Sequence, residues 1–456
     1  MSHLLARRLL GAVAKPSFRT WTRAPTLNQQ AVRHEHVNVK ASNAKNDFVS
    51  LPIVSISSPD FITLPTAHLK RRRNIQTTAR REAFDNCRCT ECVNQDTMQR
   101  NFDTFSIPRD IRPVEAVIEG DDLHVTFIIS LLQGDHENHR SVYSLDFICS
   151  YLFRNCNSPG FQAPVLWTAP DIQNDPPTVA FDEVMNPDSE EGIAKLTNLI
   201  QSHGFAFVSN TPVSPHETKR LLEHIGPIRN THYGGFYDFI PDLALADTAY
   251  TNLALPAHTD TTYFTEPARL QAFHLLSHHP PPSTPSGAVA EGGKSLLVDG
   301  FKAADILKEE DPHAYNILTK QVVPWHASGN KGIAIRPSRM VPVLETTGTR
   351  RSLMRVRWNN DDRGVLPFFG KEGNEARWYA AARKWNETIK MKEMEYWVQL
   401  TPGNVLIFDN WRVLHGRSAF EGVRRICGGY INHDDFMSRW RNTNFSPKVV
   451  RRQVVG

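Results

Sequence analysis

The 456-residue sequence predicts a mainly β fold with flanking helices. From residue 250 onward, short apolar runs alternate with turns rich in Gly, Pro and Asp, a pattern that indicates an all-β barrel or sandwich. These runs are LQAFHLL, SLLVDG, VPVLE, LMRVRWNN, NVLIFDN and RICGGYI. Longer segments with helical periodicity lie before and between them, so we expect helices to surround the β core.

The predicted helices have amphipathic patterns and recognisable ends. EGIAKLTNLIQSHG ends at Gly204, and the next six residues, FAFVSN, have the composition of a strand. The four segments predicted to be helical are 191–204, 216–226, 303–318 and 375–397. Residues 278–293, rich in Pro and Gly, are predicted to form a solvated loop.

The N-terminal segment has the composition of a targeting sequence. Its first 34 residues contain six basic residues and no acid, with Arg set among Leu, Ala and Ser. This is typical of a mitochondrial transit peptide and lacks the long apolar centre of a secretory signal. We therefore predict import into the mitochondrial matrix, and we expect residues 1–60 to be a disordered presequence and linker.

Charge and hydropathy exclude two classes of protein. The formal net charge is +4, but removal of the six basic residues of the first 34 leaves 46 basic residues against 48 acidic ones. A chain so close to neutral is not a basic nucleic-acid binder. The sequence contains no apolar run of about 18 residues, so no transmembrane helix is predicted.

Three of the six cysteines lie within six residues and predict a metal site. Cys87, Cys89 and Cys92 form a C-x-C-x2-C pattern, whose soft thiolates suit Zn(II) in a four-ligand site. His136 and His139 compete for the fourth position. A closed four-ligand zinc is structural, and a reducing matrix makes a disulfide framework unsuitable.

The domain boundaries follow from composition. A Pro-rich stretch, residues 159–177, separates the cysteine unit, 61–160, from a larger domain, 178–440, which a C-terminal tail, 441–456, follows. In the first unit, LHVTFII (123–129) is predicted to be a strand because it is rich in β-branched and aromatic residues. The small unit is thus predicted to hold zinc, and the large domain to hold the β core.

Two short motifs in the large domain predict an iron site. PAHTDTTYF supplies His258 and Asp260, and DNWRVLHGR supplies His415. Residues i and i+2 of a strand point to the same side, so the H-x-D pair can share one ion. Two imidazoles and one carboxylate are the ligand set of non-haem Fe(II) oxygenases, which leaves positions open for a 2-oxo acid and O2.

An arginine follows this motif at a useful distance. Arg424 lies nine residues past His415, and its planar fork can bind the remote carboxylate of a 2-oxo acid. The alternative is that Arg424 and its neighbour Arg425 are ordinary exposed charges on an edge strand.

Residues 178–440 resemble the 2-oxoglutarate-dependent dioxygenases of the taurine dioxygenase superfamily. The similarity is greatest to the γ-butyrobetaine/trimethyllysine branch, and within it to the fungal trimethyllysine dioxygenases. The segments that carry the resemblance are THYGGFYDF (231–239), ADTAYTNLALPAHTDTTYFTEP (246–267), GGKSLLVDGF (292–301), RWNNDDR (357–363), DNWRVLHGRSAF (409–420) and RRICGGYI (424–431). The resemblance implies a double-stranded β-helix, or jelly-roll, as the catalytic domain, beside a small zinc-binding N-terminal domain.

The resemblance also implies roles for individual residues. It makes His258, Asp260 and His415 the iron ligands, Arg424 and Ser295 the 2-oxoglutarate contacts, and His139, in HRSVY, the fourth zinc ligand. Its aromatic cage for a trimethylammonium group falls on Tyr233, Tyr237, Tyr250 and Tyr430, and one cage position of the γ-butyrobetaine enzymes is Thr261 here. Asp247 is a candidate for the substrate ammonium, and Asn359 or Asn360 for its carboxylate.

The implied activity is hydroxylation of Nε-trimethyllysine at C3, with release of succinate and CO2, as the first step of carnitine biosynthesis. It would use Fe(II), 2-oxoglutarate, O2 and ascorbate, with structural Zn(II), in a homodimer that binds neither nucleic acid nor membrane. One alternative is γ-butyrobetaine hydroxylation to carnitine. An alternative of another class is an inactive metal-binding or interaction protein.

Overall fold

The computed structural model describes residues 55–58, 61–64, 75–78, 84–109, 111–130, 136–145, 148, 163–240, 252–285, 287–347, 352–366 and 374–454. The chain divides into two compact units, Met1–Asp146 and Phe147–Gly456. The predicted transit peptide lies outside the described residues, apart from residues 55–58 of its linker. Asp247 and Tyr250 also lie outside them.

The first unit contains two small antiparallel sheets. One consists of β1 (Ser55–Ser58), β2 (Phe61–Leu64) and β3 (Ile75–Thr78), and the other of β4 (Arg112–Glu119), β5 (Asp122–Ser130) and β6 (His136–Ser144). A 3-10 helix spans Thr104–Ser106. The strand predicted at 123–129 is confirmed as part of β5. Residues 55–58, predicted to be linker, instead pair with β2, since this neighbouring strand satisfies their backbone groups.

Two sheets form the β core of the second unit. The six-stranded sheet has the order β7-β8-β16-β11-β18-β9, and the four-stranded sheet has the order β10-β17-β12-β15. Their bounds are β7 Thr178–Ala180, β8 Phe205–Ser209, β9 Tyr237–Phe239, β10 Leu255–His258, β11 Leu270–His279, β12 Ser295–Asp299, β15 Tyr396–Val398, β16 Val405–Asp409, β17 Val413–Arg417 and β18 Val423–Ile431. A separate hairpin pairs β13 (Leu344–Thr347) with β14 (Ser352–Val356). Every pairing is antiparallel except β7 with β8.

Helices surround these sheets. In the described residues of this unit they are α1 Ala169–Ile172, α2 Phe181–Val184, α3 Glu191–His203, α4 Pro215–Ile225, α5 Gly300–Glu310, α6 Pro312–Lys320, α7 Asn374–Ile389, α8 His433–Asn444 and α9 Pro447–Val454. Helix α3 ends as predicted, at Gly204, whose φ of +83° is the left-handed conformation that glycine adopts without steric cost. No helix among the described residues is long and apolar enough to cross a membrane.

Two predicted helices are wrong in extent. The segment 303–318 forms α5 and α6 instead of one helix, because Pro312 cannot continue a helix and Asp311 caps the next one, accepting a 2.9 Å bond from the Ala314 amide. The helix predicted over 375–397 ends at Ile389, and β15 begins at Tyr396 to pair with β12. Tertiary pairing overrides local helix propensity at this point.

Three apolar clusters form the core of the second unit among the residues that the structure describes. Phe205, Phe408, Leu297 and Val413 belong to one buried cluster, which joins residues from the six-stranded and the four-stranded sheet. A second cluster packs α3, α4 and α8 on the six-stranded sheet, and a third packs α5, α6 and α7 on the four-stranded sheet. The prediction of a mainly β fold with flanking helices is therefore confirmed.

Candidate active site and metal centres

The three predicted iron ligands converge at the edge of the four-stranded sheet. His258 ends β10 and pairs in register with His415 of β17, with their ring centroids 4.3 Å apart. Asp260 lies just beyond β10, where Thr261 has a φ of +55° and begins the turn. The strand therefore ends between the two residues of the H-x-D motif, and the turn brings the carboxylate to the imidazoles.

The spacing of these donors fits one ion. Nε2 of His258 lies 3.2 Å from Oδ1 of Asp260, and Nε2 of His415 lies 3.8 Å from Oδ2. Ligands at right angles around a first-row metal, each about 2.1 Å from it, lie roughly 3 Å apart. A group of two imidazoles and one carboxylate at these separations can therefore hold a divalent metal.

The protonation states of His415 and Asp260 also suit metal binding, whereas the pKa of His258 is raised, because the effect of Asp260 outweighs that of burial. Burial and the neighbouring His258 together lower the pKa of His415 to about 3, so its ring is neutral at physiological pH. Burial alone would raise the pKa of Asp260, but His415, His258 and the hydroxyl of Tyr430 outweigh it and hold the pKa well below its ordinary value. Nδ1 of His258 lies 2.8 Å from the carbonyl oxygen of Pro256, which leaves Nε2 for the ion.

Arg424 is a buried cation in the same cavity. It is 5% exposed on β18 and has no ion-pair partner among the described residues. Burial lowers its pKa to about 10, with a contribution from Arg417, so it remains charged at neutral pH. Arg425, the next residue, faces outward and binds Asp238 through two bonds of 2.8 and 2.6 Å. A buried charge without an acid fits an anionic ligand.

The cavity that joins these groups has a volume of about 190 Å³. The three predicted iron ligands line it, together with Arg424, Arg417 and Ser295. Ser295 begins β12, where it pairs with Arg417 of β17. The cavity therefore places a hydroxyl and two guanidinium groups near the metal ligands.

Tyrosines also line the cavity. Three of the four predicted cage residues, Tyr233, Tyr237 and Tyr430, are among them. Tyr263, which the sequence did not assign to the cage, also lines the cavity, and its hydroxyl donates to that of Tyr233 at 3.3 Å. Its only sequence signal is its place in the turn after the H-x-D motif.

The hydroxyl groups of two cage residues are already engaged. That of Tyr237 donates to the carbonyl oxygen of Ala272 at 2.7 Å, and that of Tyr430 donates to Oδ2 of Asp260 at 2.8 Å. Of the two candidate asparagines, Asn359 lines the cavity and Asn360 is exposed without lining it. Asp361 and Asp362 also line the cavity.

Several residues that support the site were missed by sequence reasoning. Asn410 binds the main chain of Asp260 on both sides: its Oδ1 accepts from the amide at 2.7 Å, and its Nδ2 donates to the carbonyl oxygen at 3.0 Å. Arg357 is fully buried, pairs with Glu345 and donates to the carbonyl oxygens of Thr262 and Phe264. Only their positions inside DNWRVLHGR and RWNNDDR could have drawn attention to them.

The cysteine cluster forms a second candidate metal centre, in the first unit. Nε2 of His139 lies 3.3, 3.7 and 3.4 Å from the sulfur atoms of Cys87, Cys89 and Cys92. Tetrahedral zinc would separate such donors by roughly 3.6 Å. Nδ1 of His139 lies 3.3 Å from a carboxylate oxygen of Glu91, a contact that orients many metal-bound imidazoles. The side chain of His136, the competing ligand, lies outside the described residues.

The thiols of this cluster need a cation to ionise. Burial raises the pKa of Cys92, and the neighbouring Cys87 raises it further. Burial likewise raises the pKa of Cys87. A bound divalent ion reverses this effect, because it stabilises the thiolates directly. The donor set thus fits zinc.

Known proteins are similar in sequence to this chain. The model of the taurine catabolism dioxygenase TauD, TfdA family matches residues 165–430. The chain is 56% identical over 396 residues to a trimethyllysine dioxygenase of Neurospora crassa, with 82% of each chain covered. It is 38% identical to that of Meyerozyma guilliermondii, with 80% of this chain and 90% of the relative covered. The human mitochondrial trimethyllysine dioxygenase is 35% identical, with 78% and 80% covered.

Proposed function

Since the chain belongs to the trimethyllysine dioxygenases of the TauD, TfdA family, we propose that it hydroxylates Nε-trimethyllysine at C3 and releases succinate and CO2. The product would enter carnitine biosynthesis at its first step. The observation that carries the proposal is one cavity lined by the His258, Asp260 and His415 group, by a buried arginine that has no ion-pair partner among the described residues, and by tyrosines.

Fe(II) fits the three donor residues described above. When bound by His258, Asp260 and His415, Fe(II) supplies the activation of O2 that is coupled to oxidative decarboxylation of 2-oxoglutarate. The protein contributes position and exclusion of water. Its ligands are largely buried, and the cavity directs a bound substrate toward them. Ascorbate would keep the iron reduced.

The cosubstrate is bound by charge. Arg424 would hold the remote carboxylate of 2-oxoglutarate, and the hydroxyl of Ser295 would add a hydrogen bond to it. A guanidinium group binds a carboxylate through two parallel bonds, so it fixes orientation as well as affinity. The lack of a carboxylate partner for Arg424 among the described residues supports this role.

The substrate is recognised by aromatic rings and polar ends. A quaternary ammonium has no N–H donor, so contact with electron-rich rings is the physical means of binding it, at about 0.5–2 kcal/mol per ring. The proposed cage consists of Tyr233, Tyr237, Tyr250 and Tyr430, with Tyr263 beside it. Asp247 remains the proposed partner of the α-ammonium. For the carboxylate, Asn359 is favoured over Asn360 because it lines the cavity.

The finer architecture belongs to the same proposal. We infer that the two packed sheets of residues 178–440 form a double-stranded β-helix, and that residues 61–160 form a small domain stabilised by zinc. Its ligands would be Cys87, Cys89, Cys92 and His139, which leave no position open for catalysis. Residues 441–456 would follow the catalytic domain as a C-terminal tail.

The proposed compartment is the mitochondrial matrix. The basic, acid-free first 34 residues support it, and animal relatives carry the word mitochondrial in their names. A fluorescent protein fused behind residues 1–60 should enter mitochondria, and a cytosolic signal would contradict the proposal. The predicted homodimer stays a prediction, which analytical ultracentrifugation of the purified chain can test.

The activity is tested by mass spectrometry. The purified chain, incubated with Fe(II), 2-oxoglutarate, ascorbate and Nε-trimethyllysine, should form a product with one added oxygen and an equal amount of succinate. His258→Ala should abolish the product because it removes a metal ligand. His313→Ala, at an exposed histidine of α6, is the matched control and should keep full activity.

Two outcomes would contradict the proposal. Faster turnover of γ-butyrobetaine than of trimethyllysine would identify the alternative hydroxylase. Failure of the wild-type chain to turn over either compound, with iron bound, would favour an inactive metal-binding protein.

A further inference from the structure

We propose that Tyr430 and Gln271 are positioning residues for Asp260, which hold its Oδ2 so that Oδ1 is the oxygen left for the metal. The inference rests on the proposed iron site and goes beyond it, because it assigns Tyr430 a task at the metal ligand as well as at the substrate. Gln271 has no assigned role in the ligand or cage motifs.

The two residues reach Asp260 from adjacent strands. Gln271 of β11 and Tyr430 of β18 are direct partners in the antiparallel ladder, so their side chains leave the same face of the sheet. Nε2 of Gln271 donates to Oδ2 of Asp260 at 2.7 Å, and the hydroxyl of Tyr430 donates to the same oxygen at 2.8 Å. Gln271 also lies 3.4 Å from the Tyr430 hydroxyl, which closes a triangle of polar groups.

These bonds are made away from water. Gln271 is 2% exposed and Tyr430 is 7% exposed, so neither donor can exchange its partner readily for solvent. In a buried site a hydrogen bond to a charged acceptor is stronger than one between neutral groups. The two donors therefore fix the rotation of the carboxylate. A carboxylate free to rotate would not hold its oxygen in the position that the metal requires.

The other carboxylate oxygen has a different environment. Oδ1 faces Nε2 of His258 at 3.2 Å, the separation expected of two ligands of one ion, whereas Oδ2, besides its two donors, lies 3.8 Å from Nε2 of His415. With Oδ2 held by two donors, Asp260 presents Oδ1 and binds through one oxygen. Binding through one oxygen leaves room at the metal for the cosubstrate.

Tyr430 thereby connects the proposed aromatic cage with the proposed metal site. Its ring lies beside that of Tyr237, with centroids 6.0 Å apart, on the wall proposed for the trimethylammonium group. Its hydroxyl is bonded to the metal ligand. A substrate that contacts this ring also contacts a residue that orients Asp260.

The test measures metal affinity without turnover. Binding of Mn(II) to the full chain is followed by the electron paramagnetic resonance signal of free Mn(II), for wild type, Tyr430→Phe and Gln271→Met. Partners that orient metal ligands are worth roughly 10- to 100-fold in affinity. We expect each variant to bind Mn(II) at least about tenfold more weakly, and the double variant to lose less than the product, since both act on one oxygen.

Tyr237→Phe is the matched control. It removes a tyrosine hydroxyl from the same cavity, but one that donates to a main-chain carbonyl oxygen instead of a metal ligand. Its Mn(II) affinity should stay within about twofold of wild type. Tyr430→Phe keeps the ring and its packing. Gln271→Met tests the other donor independently, so the inference can still be tested if one of the two variants folds poorly.

The outcomes separate this inference from the proposed function. Wild-type affinity in Tyr430→Phe and in Gln271→Met, with Mn(II) binding abolished by Asp260→Ala, would overturn the inference and leave the iron site intact. Failure of wild type to bind Mn(II), or unchanged binding in Asp260→Ala, would overturn the iron site and the inference together.

Discussion

At the scale of single residues, the two adjacent arginines of β18 show how one position decides a role. Successive side chains of a strand point to opposite faces, so Arg424 faces the cavity while Arg425 faces solvent and binds Asp238. The two are chemically identical in the sequence. The interpretation of both as exposed charges describes Arg425 and does not describe the buried Arg424.

This difference leads to a prediction for Arg424→Met. Loss of a charge-assisted bond to the 2-oxoglutarate carboxylate should raise the KM for 2-oxoglutarate by roughly 10- to 100-fold. The KM for trimethyllysine should change by less than about twofold. Steady-state succinate release, with each substrate varied in turn, measures both constants.

Arg425→Met is the control for that measurement. It removes the same charge from the neighbouring position, where only a surface pair with Asp238 is lost. Equal effects of the two substitutions on the KM for 2-oxoglutarate would show that long-range charge, not a direct contact, is responsible.

At the scale of elements, His274 links three parts of the second unit. Its Nδ1 lies 2.7 Å from the hydroxyl of Thr218 in α4, and its Nε2 accepts from the amide of Gly403 at 3.1 Å, while the residue itself lies in β11. The Thr218 hydroxyl donates to the carbonyl oxygen of Ser214, so the neutral ring with its proton on Nδ1 satisfies every partner. A second proton, on Nε2, would face the Gly403 amide.

His274 should therefore make folding sensitive to acid. Burial lowers its pKa from 6.5 to about 4. The unfolded chain binds a proton as the pH falls through 6.5, and the folded chain resists it until about 4, so stability falls as the pH drops through this window. The loss is on the order of 3 kcal/mol, since each unit of pKa is about 1.4 kcal/mol.

Urea unfolding at pH 7.5, 5.5 and 4.5 measures this loss. His274→Gln keeps an acceptor for Gly403 but cannot titrate. We expect the variant to be less stable than wild type at pH 7.5 and to lose less stability on acidification. The slope of the free energy of unfolding against pH is compared between wild type and variant, and the difference gives the contribution of His274. Other buried histidines contribute equally to both slopes, such as His433, whose pKa burial also lowers to about 4. Parallel slopes would contradict the prediction.

At the scale of the whole molecule, the chain carries two candidate metal centres of different character, one in each of its two units. The cysteine cluster offers four ligands and can close around zinc, whereas the iron group offers three and leaves positions open. Dialysis against EDTA at neutral pH should therefore remove the iron and leave about one zinc per chain. Metal analysis by plasma mass spectrometry measures both contents.

Single substitutions should separate the two centres. His139→Ala should lose zinc and retain the capacity to bind iron, and His258→Ala should do the reverse. Cys427→Ser is the control, because Cys427 is a buried cysteine of β18 outside both clusters. Full zinc content in a Cys89→Ser variant would show that the cluster does not bind zinc through its thiolates.

The sequence by itself determined the chemistry and the general architecture. The donor atoms follow directly from the H-x-D motif, the distant His415 and the C-x-C-x2-C pattern, because ligand preference depends on residue type. The alternation of short apolar runs indicates a β core. The C-terminal end of α3 was equally predictable, because Gly204 adopts the left-handed conformation that ends a helix.

Only the tertiary structure decided which donors meet, and through which atoms. The register of β11 against β18 places Gln271 and the Tyr430 hydroxyl on Asp260, and the approach of β6 to the cysteine turn brings in His139. The start of β15 likewise depends on a neighbour distant in sequence, because this strand pairs with β12. These features stay hidden in the sequence because strand pairing joins residues that are far apart along the chain, and a shift of one position reverses the face of every side chain.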